Sequence, residues 1–505
     1  MRLRQAMLSS ALQQNATLLL FFGTGVVIAH LLSPREVGSY SVAIAAAGMF
    51  AALKDSAVAS YVVSAPELDD RLLGAAFGLS LTIAACLTVG FVGLSFPLAT
   101  FYQDPTVGVA LRIVALAQLG PALAFPATIR LVRAMQFGSL LAIGLAAAVS
   151  QSVVSLTLAM LGHGGAALAW GYFASSVVMA VMTMIYQPDA IQLRPTLQGA
   201  GQLLAFAGWM SATLFVGSTT TSTPELAIGR VLGIANAALF SRAQNLVSFV
   251  RNGLLFGLTK PLLSDFGRRE RERESLAPIY LRIVELVTGL SWPAYGVLAI
   301  WAEPLVRTIY GEAWSAAGTM MTPIAIAHGL ALTVPLHYDI LIIKRRPRLL
   351  FASELSMFLF TILALGIGLM IGIESAVWSL VFSSAFFATY YFIVLKAIID
   401  FASGALVKVW SRSLTLTLVA IPVPLIFRHL AGHGAAEVLL GFAGSSAVAA
   451  LIWIAGVMFT RHELSLHIGP LLESGFASVA RRRPRRSGSQ ERPIGVELPV
   501  TDRSR

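Results

Sequence analysis

Apolar stretches of membrane-crossing length follow one another along almost the whole chain, separated by short polar segments. A helix needs about 20 apolar residues to cross a bilayer. The pattern predicts fourteen spans, at 12–32, 37–63, 73–96, 107–128, 138–161, 165–186, 201–223, 234–260, 279–301, 315–341, 349–372, 374–395, 411–428 and 435–459. The runs are too long and continuous for the alternating strands of an outer-membrane barrel. The longest internal loops lie at 187–200, 261–278 and 396–410. None reaches the roughly 50 residues of a folded extramembrane domain. The expected fold is all-α, a polytopic membrane protein of about fourteen transmembrane helices. The first apolar run is a full-length span with no small-residue cleavage site after it, so no cleavable signal peptide is expected.

Composition closes off the soluble alternatives. Of 505 residues, 56% are hydrophobic and only 12% charged, against about 25% charged in a soluble domain. Mean hydropathy is +0.77. A water-soluble enzyme and a disordered scaffold are both excluded. The single cysteine, Cys86, offers neither a disulfide framework nor a metal cluster. No cofactor is expected.

The net charge of +11 is first a matter of topology, because Lys and Arg collect on cytoplasmic loops. With the N-terminus inside, 27 of the 36 Lys and Arg fall on the cytoplasmic side. Four (Arg35, Arg230, Arg307 and Arg428) fall outside, and five lie within spans. This predicts both termini in the cytoplasm and an even number of spans. It also accounts for the high pI without nucleic acid as a partner. The tail from 461 carries Arg-Arg-Arg-Pro-Arg-Arg at 481–486 and reads as a disordered basic segment suited to anionic membrane lipids.

Internal symmetry is visible at an offset of 200. Residues 28–43 overlay 228–243 without a gap. Ile28/Ile228, Leu32/Leu232, Ser41/Ser241 and Ala43/Ala243 are identical, and Tyr40/Phe240 is similar. Both copies join the first and second spans of a half. Such repeats are frequent in transporters. The expected organisation is two pseudo-symmetric six-helix bundles, 1–195 and 196–398, two additional helices in 399–460, and the tail 461–505.

At this motif the sequence resembles a known family. HLLSPREVGSYSVAIA (30–45), following Gly23 and Gly25, is similar to the opening of polysaccharide-export flippases. These belong to the multidrug/oligosaccharidyl-lipid/polysaccharide transporter superfamily. RVLGIANAALFSRAQNL (230–246) resembles the start of that family's second half, and IYGEAWSAAGTMMTPIAIA (309–327) a stretch ahead of its tenth span. The family often has an acidic residue just before the second-half motif; here Glu225 lies one place off, beside Pro224. The resemblance implies a flippase for an undecaprenyl-pyrophosphate-linked oligosaccharide, working by alternating access through a central cavity between the bundles. It implies a bacterial cytoplasmic (inner) membrane and the lipid-linked oligosaccharide as substrate. A polysaccharide polymerase and chain-length machinery are the implied protein partners.

A pyrophosphate crossing hydrocarbon needs cations, and ionisable residues inside spans are costly enough to be functional candidates. The candidates for the cavity are Lys54, Arg251, Arg112, Arg242 and Arg282. Arg251, at mid-span, cannot snorkel. Arg242, nine residues away, faces the opposite side of the same helix and suits packing. Arg112 and Arg282 stand near span ends, within reach of headgroups. Coupling candidates are Asp55, Asp339 and Glu285, with Lys344 in reach of Asp339 and Arg282 one turn from Glu285. The hydroxyls of 218–223 suit sugars or, equally, helix carbonyls. Pro121, Pro126, Pro293, Pro323 and Pro335 are expected kinks.

Two enzyme-like patterns fail. His462 and His467 are five residues apart, which places them off one helix face and rules out the zinc-protease spacing. Gly162–Gly165 is a turn with no phosphate-loop context. Alternatives in the same superfamily are a cation-coupled drug exporter and a peptidoglycan-precursor flippase. A glycan-polymerising enzyme is disfavoured by the short loops.

Overall fold

The computed structural model describes residues 2–64, 69–198, 200–432, 434–460 and 463–464, with side chains outside the description at 2–14, 51–61, 64, 191, 200, 202–207, 254–262 and 264. Among the described residues there is no strand. The helices are α1 (Arg2–Leu31), α2 (Pro34–Ser64), α3 (Asp70–Phe101), α4 (Pro105–Ala117), α5 (Leu119–Arg133), α6 (Phe137–Met160), α7 (Ala166–Tyr186), α8 (Ala200–Val231), α9 (Ile234–Arg271) and α10 (Ala277–Tyr310). They continue with α11 (Ser315–Ala331), α12 (His337–Ile343), α13 (Pro347–Ile371), α14 (Ile373–Ile399), α15 (Ser403–Ala420), α16 (Pro422–Leu430) and α17 (Ala435–Phe459). Nine helical stretches among the described residues are long and apolar enough to cross a membrane. Of the tail, only Glu463 and Leu464 are described; its basic run at 481–486 and the His462–His467 pair lie outside the described residues.

Helix ends follow local chemistry. Asp69 caps α3 through the Leu72 N–H, and Asp104 caps α4 through the Thr106 N–H, with Pro105 in the first turn. The α1–α2 and α8–α9 junctions fall at positions 200 apart, with α1 ending at Leu31 and α8 at Val231.

Three expected spans are not single helices. The stretch 107–128 divides at Gln118 into α4 and α5, ahead of Pro121. The stretch 411–428 begins earlier, at Ser403, and divides at Ile421 before Pro422. The stretch 315–341 breaks after Ala331, and Leu336 stands in the left-handed region at φ 55°. Pro335 lacks the N–H that would carry the helix through, so α12 restarts two residues later. Pro126, Pro293 and Pro323 remain inside continuous helices.

Helices α1–α7 pack among themselves, and so do α8–α14, with α2 making the broadest contact across, against α8 and α9. The end of the bundle where α1 finishes and α2 begins is called distal below; the opposite end is proximal. Core clusters that mix the two halves are distal. Ile28, Leu32 and Val37 pack with Ile228, Phe240, Trp301 and Trp314, while Val42 and Val107 pack with Ile234 and Ala237. The proximal clusters around Leu73 and Ile129, and around Tyr280 and Tyr391, do not cross between the halves; the second also takes in Phe401, Leu406 and Val409 of the C-terminal segment. Gly38 lies so close to the Ile234 carbonyl that any side chain there would collide with backbone.

Helices α15–α17 pack on α10, which carries Pro293 and Pro304. Each proline leaves the carbonyl four residues earlier without its helical donor. The C-terminal helices supply both missing donors. Trp453 Nε1–H donates to Gly289 O at 2.8 Å, and Arg428 Nη1–H to Ile300 O at 2.6 Å. Arg412 adds an ion pair to the buried Glu285 at 3.4 Å, and the Thr288 and Ser413 hydroxyls meet at 2.8 Å.

Candidate functional site

The distal seal is built from the repeat motif. Trp314, fully buried, donates its Nε1–H to Ala29 O of α1 at 2.9 Å. Arg242 of α9 lies with its guanidinium 5.2 Å from the Tyr310 ring and 5.1 Å from the Trp314 ring. Its Nη1 sits against Gly25 of α1, 2.8 Å from where a β-carbon there would be. A cation over aromatic faces in a dry interface is a strong contact. Tyr102 OH donates to Leu226 O at 3.0 Å. Deeper along α2 and α8, away from the distal end, Ser218 Oγ donates to Met49 O at 2.8 Å, and Phe50 and Phe215 meet obliquely at 5.1 Å. Glu225 of α8 lies in this seal, where it bonds to the Ser241 side chain while its Oε1 is buried with no hydrogen-bond partner among the described residues.

Proximal to the seal, α8–α14 enclose a cavity of about 460 Å³. Its polar lining includes Thr220, Thr221, Gln244, Arg251, His328 and Glu354. The whole lining comes from the second half, whereas the sequence leads one to expect a chamber shared by both bundles. Arg251 lies close enough to Tyr295 and His328 to act on both electrostatically. Gln244 Nε2 and His328 Nε2 are 3.2 Å apart. Across the cavity, Tyr391 OH donates to Glu354 Oε1 at 3.1 Å. His337 packs on Phe387 and Tyr391, with centroids 4.7 and 4.3 Å away.

The other expected site residues are dispersed. Lys54 and Asp55 lie on α2, but their side chains fall outside the described residues. Arg112 bonds back to Gly108 O at 3.2 Å and covers the Phe96 ring at 5.3 Å, so it packs between α3 and α4 and does not line this cavity. Arg282 pairs with Glu463 at 3.1 Å, and Glu285 with Arg412. Both join α10 to C-terminal segments. Lys344 pairs with Glu270 at 2.7 Å. Asp339, in the first turn of α12, is five residues from Lys344 and so points away from it. The 218–223 hydroxyls mostly bond back along α8: Thr220 to Val216 O, Thr221 to Ser218 O and Thr223 to Thr219 O. Thr220 and Thr221 still reach the cavity.

Glu354 and His328 were missed by the sequence reading, although the rule that singled out Arg251 applies to both, since each lies within an expected span. At the proximal rim, Arg268 and Arg269 clasp Asp265. The Arg268 hydrogen bond, with the hydrogen bond and charge of Arg269, holds the Asp265 carboxyl below its ordinary range. A second, apolar groove of about 440 Å³ runs between α9, α10, α15 and α17, past Phe249, Pro293, Phe442 and Trp453.

An all-helical membrane fold with a sealed distal end and a polar cavity in one half defines a transporter. The chain belongs to the polysaccharide biosynthesis protein family, whose pattern it matches over residues 27–318. It is 25% identical over 463 residues to the succinoglycan biosynthesis transport protein ExoT of Rhizobium meliloti (strain 1021), covering 90% of this chain and 92% of that one. It is 20% identical over 324 residues to the lipopolysaccharide biosynthesis protein WzxC of Escherichia coli (strain K12), covering 62% and 65%. Among solved structures it resembles the lipid II flippase MurJ in an inward closed conformation, with a TM-score of 0.71, 12% identity, and 90% and 99% coverage. It also resembles an inward-facing multidrug transporter of the MATE family, with a TM-score of 0.61, 13% identity, and 78% and 96% coverage. At these identities the two structures establish the fold alone.

Proposed function

We propose that this protein is a flippase that carries a lipid-linked oligosaccharide across the bacterial inner membrane for the assembly of a surface or exported polysaccharide. The observation that carries this reading is the polar cavity holding Arg251, closed on the distal side by the Arg242–Tyr310–Trp314 seal, in a chain of the polysaccharide biosynthesis protein family. A phosphate entering hydrocarbon loses its hydration, and a guanidinium in a confined polar cavity offsets that loss. Arg251 takes the phosphates, joined by Lys54 from the first half. The hydroxyls of Thr220, Thr221 and Ser383, all of which line the same cavity, meet the sugars. The apolar groove along α9, α10 and α17 suits part of the lipid chain.

The 27-to-4 distribution of Lys and Arg supports fourteen spans with both termini in the cytoplasm, which makes the distal face periplasmic. The halves 1–195 and 196–398 then act as the two moving bodies, with 399–460 fastened to α10. Coupling falls to Glu354, which lines the same cavity as Arg251, ahead of Asp339 and Glu285, which do not line it. A polymerase and chain-length machinery would receive the product on the periplasmic side.

The direct test is deletion of the gene followed by complementation. Loss of surface polysaccharide, with lipid-linked oligosaccharide accumulating on the inner leaflet, is expected. Deleted cells that keep normal polysaccharide, or that accumulate no lipid-linked intermediate, would refute the reading.

A further inference from the structure

The outside face is poor in cations, yet two of its four, Arg307 and Arg428, line one pocket. The pocket encloses about 740 Å³ at the distal ends of α10 and α16 and the start of α17. Its charged groups are two arginines and two glutamates, arranged as two ion pairs: Arg307 with Glu312, and Arg428 with Glu303 at 3.6 Å. All four side chains are substantially exposed. Thr308 adds a hydroxyl, and Ala435 and Val438 form an apolar wall.

We propose that this pocket binds the headgroup of a zwitterionic phospholipid that carries a phosphate and a primary ammonium. The charges are of both signs and balance, so the pocket offers nothing extra to a headgroup that is only anionic. The planar guanidinium groups match phosphate oxygens, and the carboxylates accept from an ammonium. Exposed ion pairs are weak. A zwitterion replaces each Arg–Glu contact with an Arg–phosphate and a Glu–ammonium contact, so no charge is left unpaired. Position favours a lipid over a sugar. Next in the chain to the lining residues Ala431 and Val438 stand the exposed apolar side chains of Leu430, Leu439 and Leu440, a surface suited to acyl chains beside a bound headgroup.

Occupancy would be felt at the seal. Glu312 and Trp314 share one short 3-10 turn, Glu312–Trp314. Glu312 lines the pocket while Trp314 holds Ala29 of α1. The site depends on neither the identity of the cargo nor its direction of transport.

The test is lipid competition on the full-length chain in detergent, read by native mass spectrometry. Equimolar phosphatidylethanolamine, phosphatidylglycerol and phosphatidylcholine are offered together. Phosphatidylethanolamine should be retained preferentially, by about tenfold, the order expected from one charge-assisted contact. The double substitution Glu303→Gln with Glu312→Gln leaves the two arginines unpaired, so it should abolish that preference and raise phosphatidylglycerol retention. The charge exchange Arg307→Glu with Glu312→Arg keeps both signs in the pocket and should retain the preference. Equal retention of the three lipids by the unmodified chain would overturn the proposal, as would a preference that survives the double Gln substitution. Displacement of the bound lipid by oligosaccharide fragments, acid-released from the cell's own surface polysaccharide, would reassign the pocket to sugar and equally overturn it.

Discussion

Trp453 donates its indole N–H to the carbonyl of Gly289, the one carbonyl that Pro293 strips of its helical donor. The helix defect and its remedy are 164 residues apart in the chain. The contact satisfies a backbone acceptor that lipid cannot satisfy, and it sets the height at which α17 lies against α10. Arg428 does the same for Ile300, about three turns further along the helix.

This relationship can be tested by a double-mutant cycle. Trp453→Phe keeps most of the ring and removes the donor, and should destabilise the protein by about 1 kcal/mol. In a Pro293→Ala background the restored N–H serves Gly289, so the same Trp453→Phe change should cost markedly less. Thermal unfolding in detergent measures both. Equal costs in the two backgrounds would separate the proline from the tryptophan.

The seal yields a second prediction. Gly38→Ala places a methyl group on the Ile234 carbonyl, and the two halves must part distally to accept it. Transport should fall sharply. An introduced cysteine at Ala29, in a Cys86→Ser background, should react faster with an impermeant maleimide added from the periplasmic side. Unchanged labelling would show that the close approach is not part of the seal.

Arg251 and Arg112 should behave differently. Removing a charge-assisted contact to phosphate costs about 1.5–3 kcal/mol, which is about 10–100-fold in affinity. Arg251→Gln should therefore lower surface polysaccharide severely at normal protein level, and Arg251→Lys less so. Arg112→Gln should leave transport near normal, because Arg112 packs on Phe96 and bonds within its own helix. The reverse order would move the phosphate site to the first half.

Glu354→Gln keeps the size of the side chain and can still accept from Tyr391. If Glu354 carries the coupling charge, transport driven by an ion gradient in proteoliposomes should be lost, while unloaded exchange of lipid-linked substrate persists. Loss of both would indicate a structural role. Tyr391→Phe, which removes one hydrogen bond, should reduce the rate only modestly.

The tail offers a topological check. A phosphatase reporter active only in the periplasm, fused after residue 460, should be inactive, and a fusion in the α1–α2 turn near Ser33 should be active.

The sequence by itself determined that the chain lives in a membrane and is helical. Backbone groups in hydrocarbon must bond internally, and long apolar runs have no other solution. It also marked the repeat, because the turn chemistry at residues 31–34 and 231–234 is local. It could not show that the stretch 315–341 breaks, since a proline is compatible with both a kink and a stop, and packing decides between them. It sorted the charged residues only in part. Helix geometry set Arg242 apart from Arg251, and depth set Arg282 apart from both, but neither showed what each would touch, and Glu354 went unmarked. Tertiary structure gave Arg242 to aromatic rings at the seal, Arg282 to Glu463, and Arg251 and Glu354 to one cavity. The reason is that a charge in a low-dielectric interior takes its role from whatever lies within a few ångströms, and those neighbours come from helices far away in the chain.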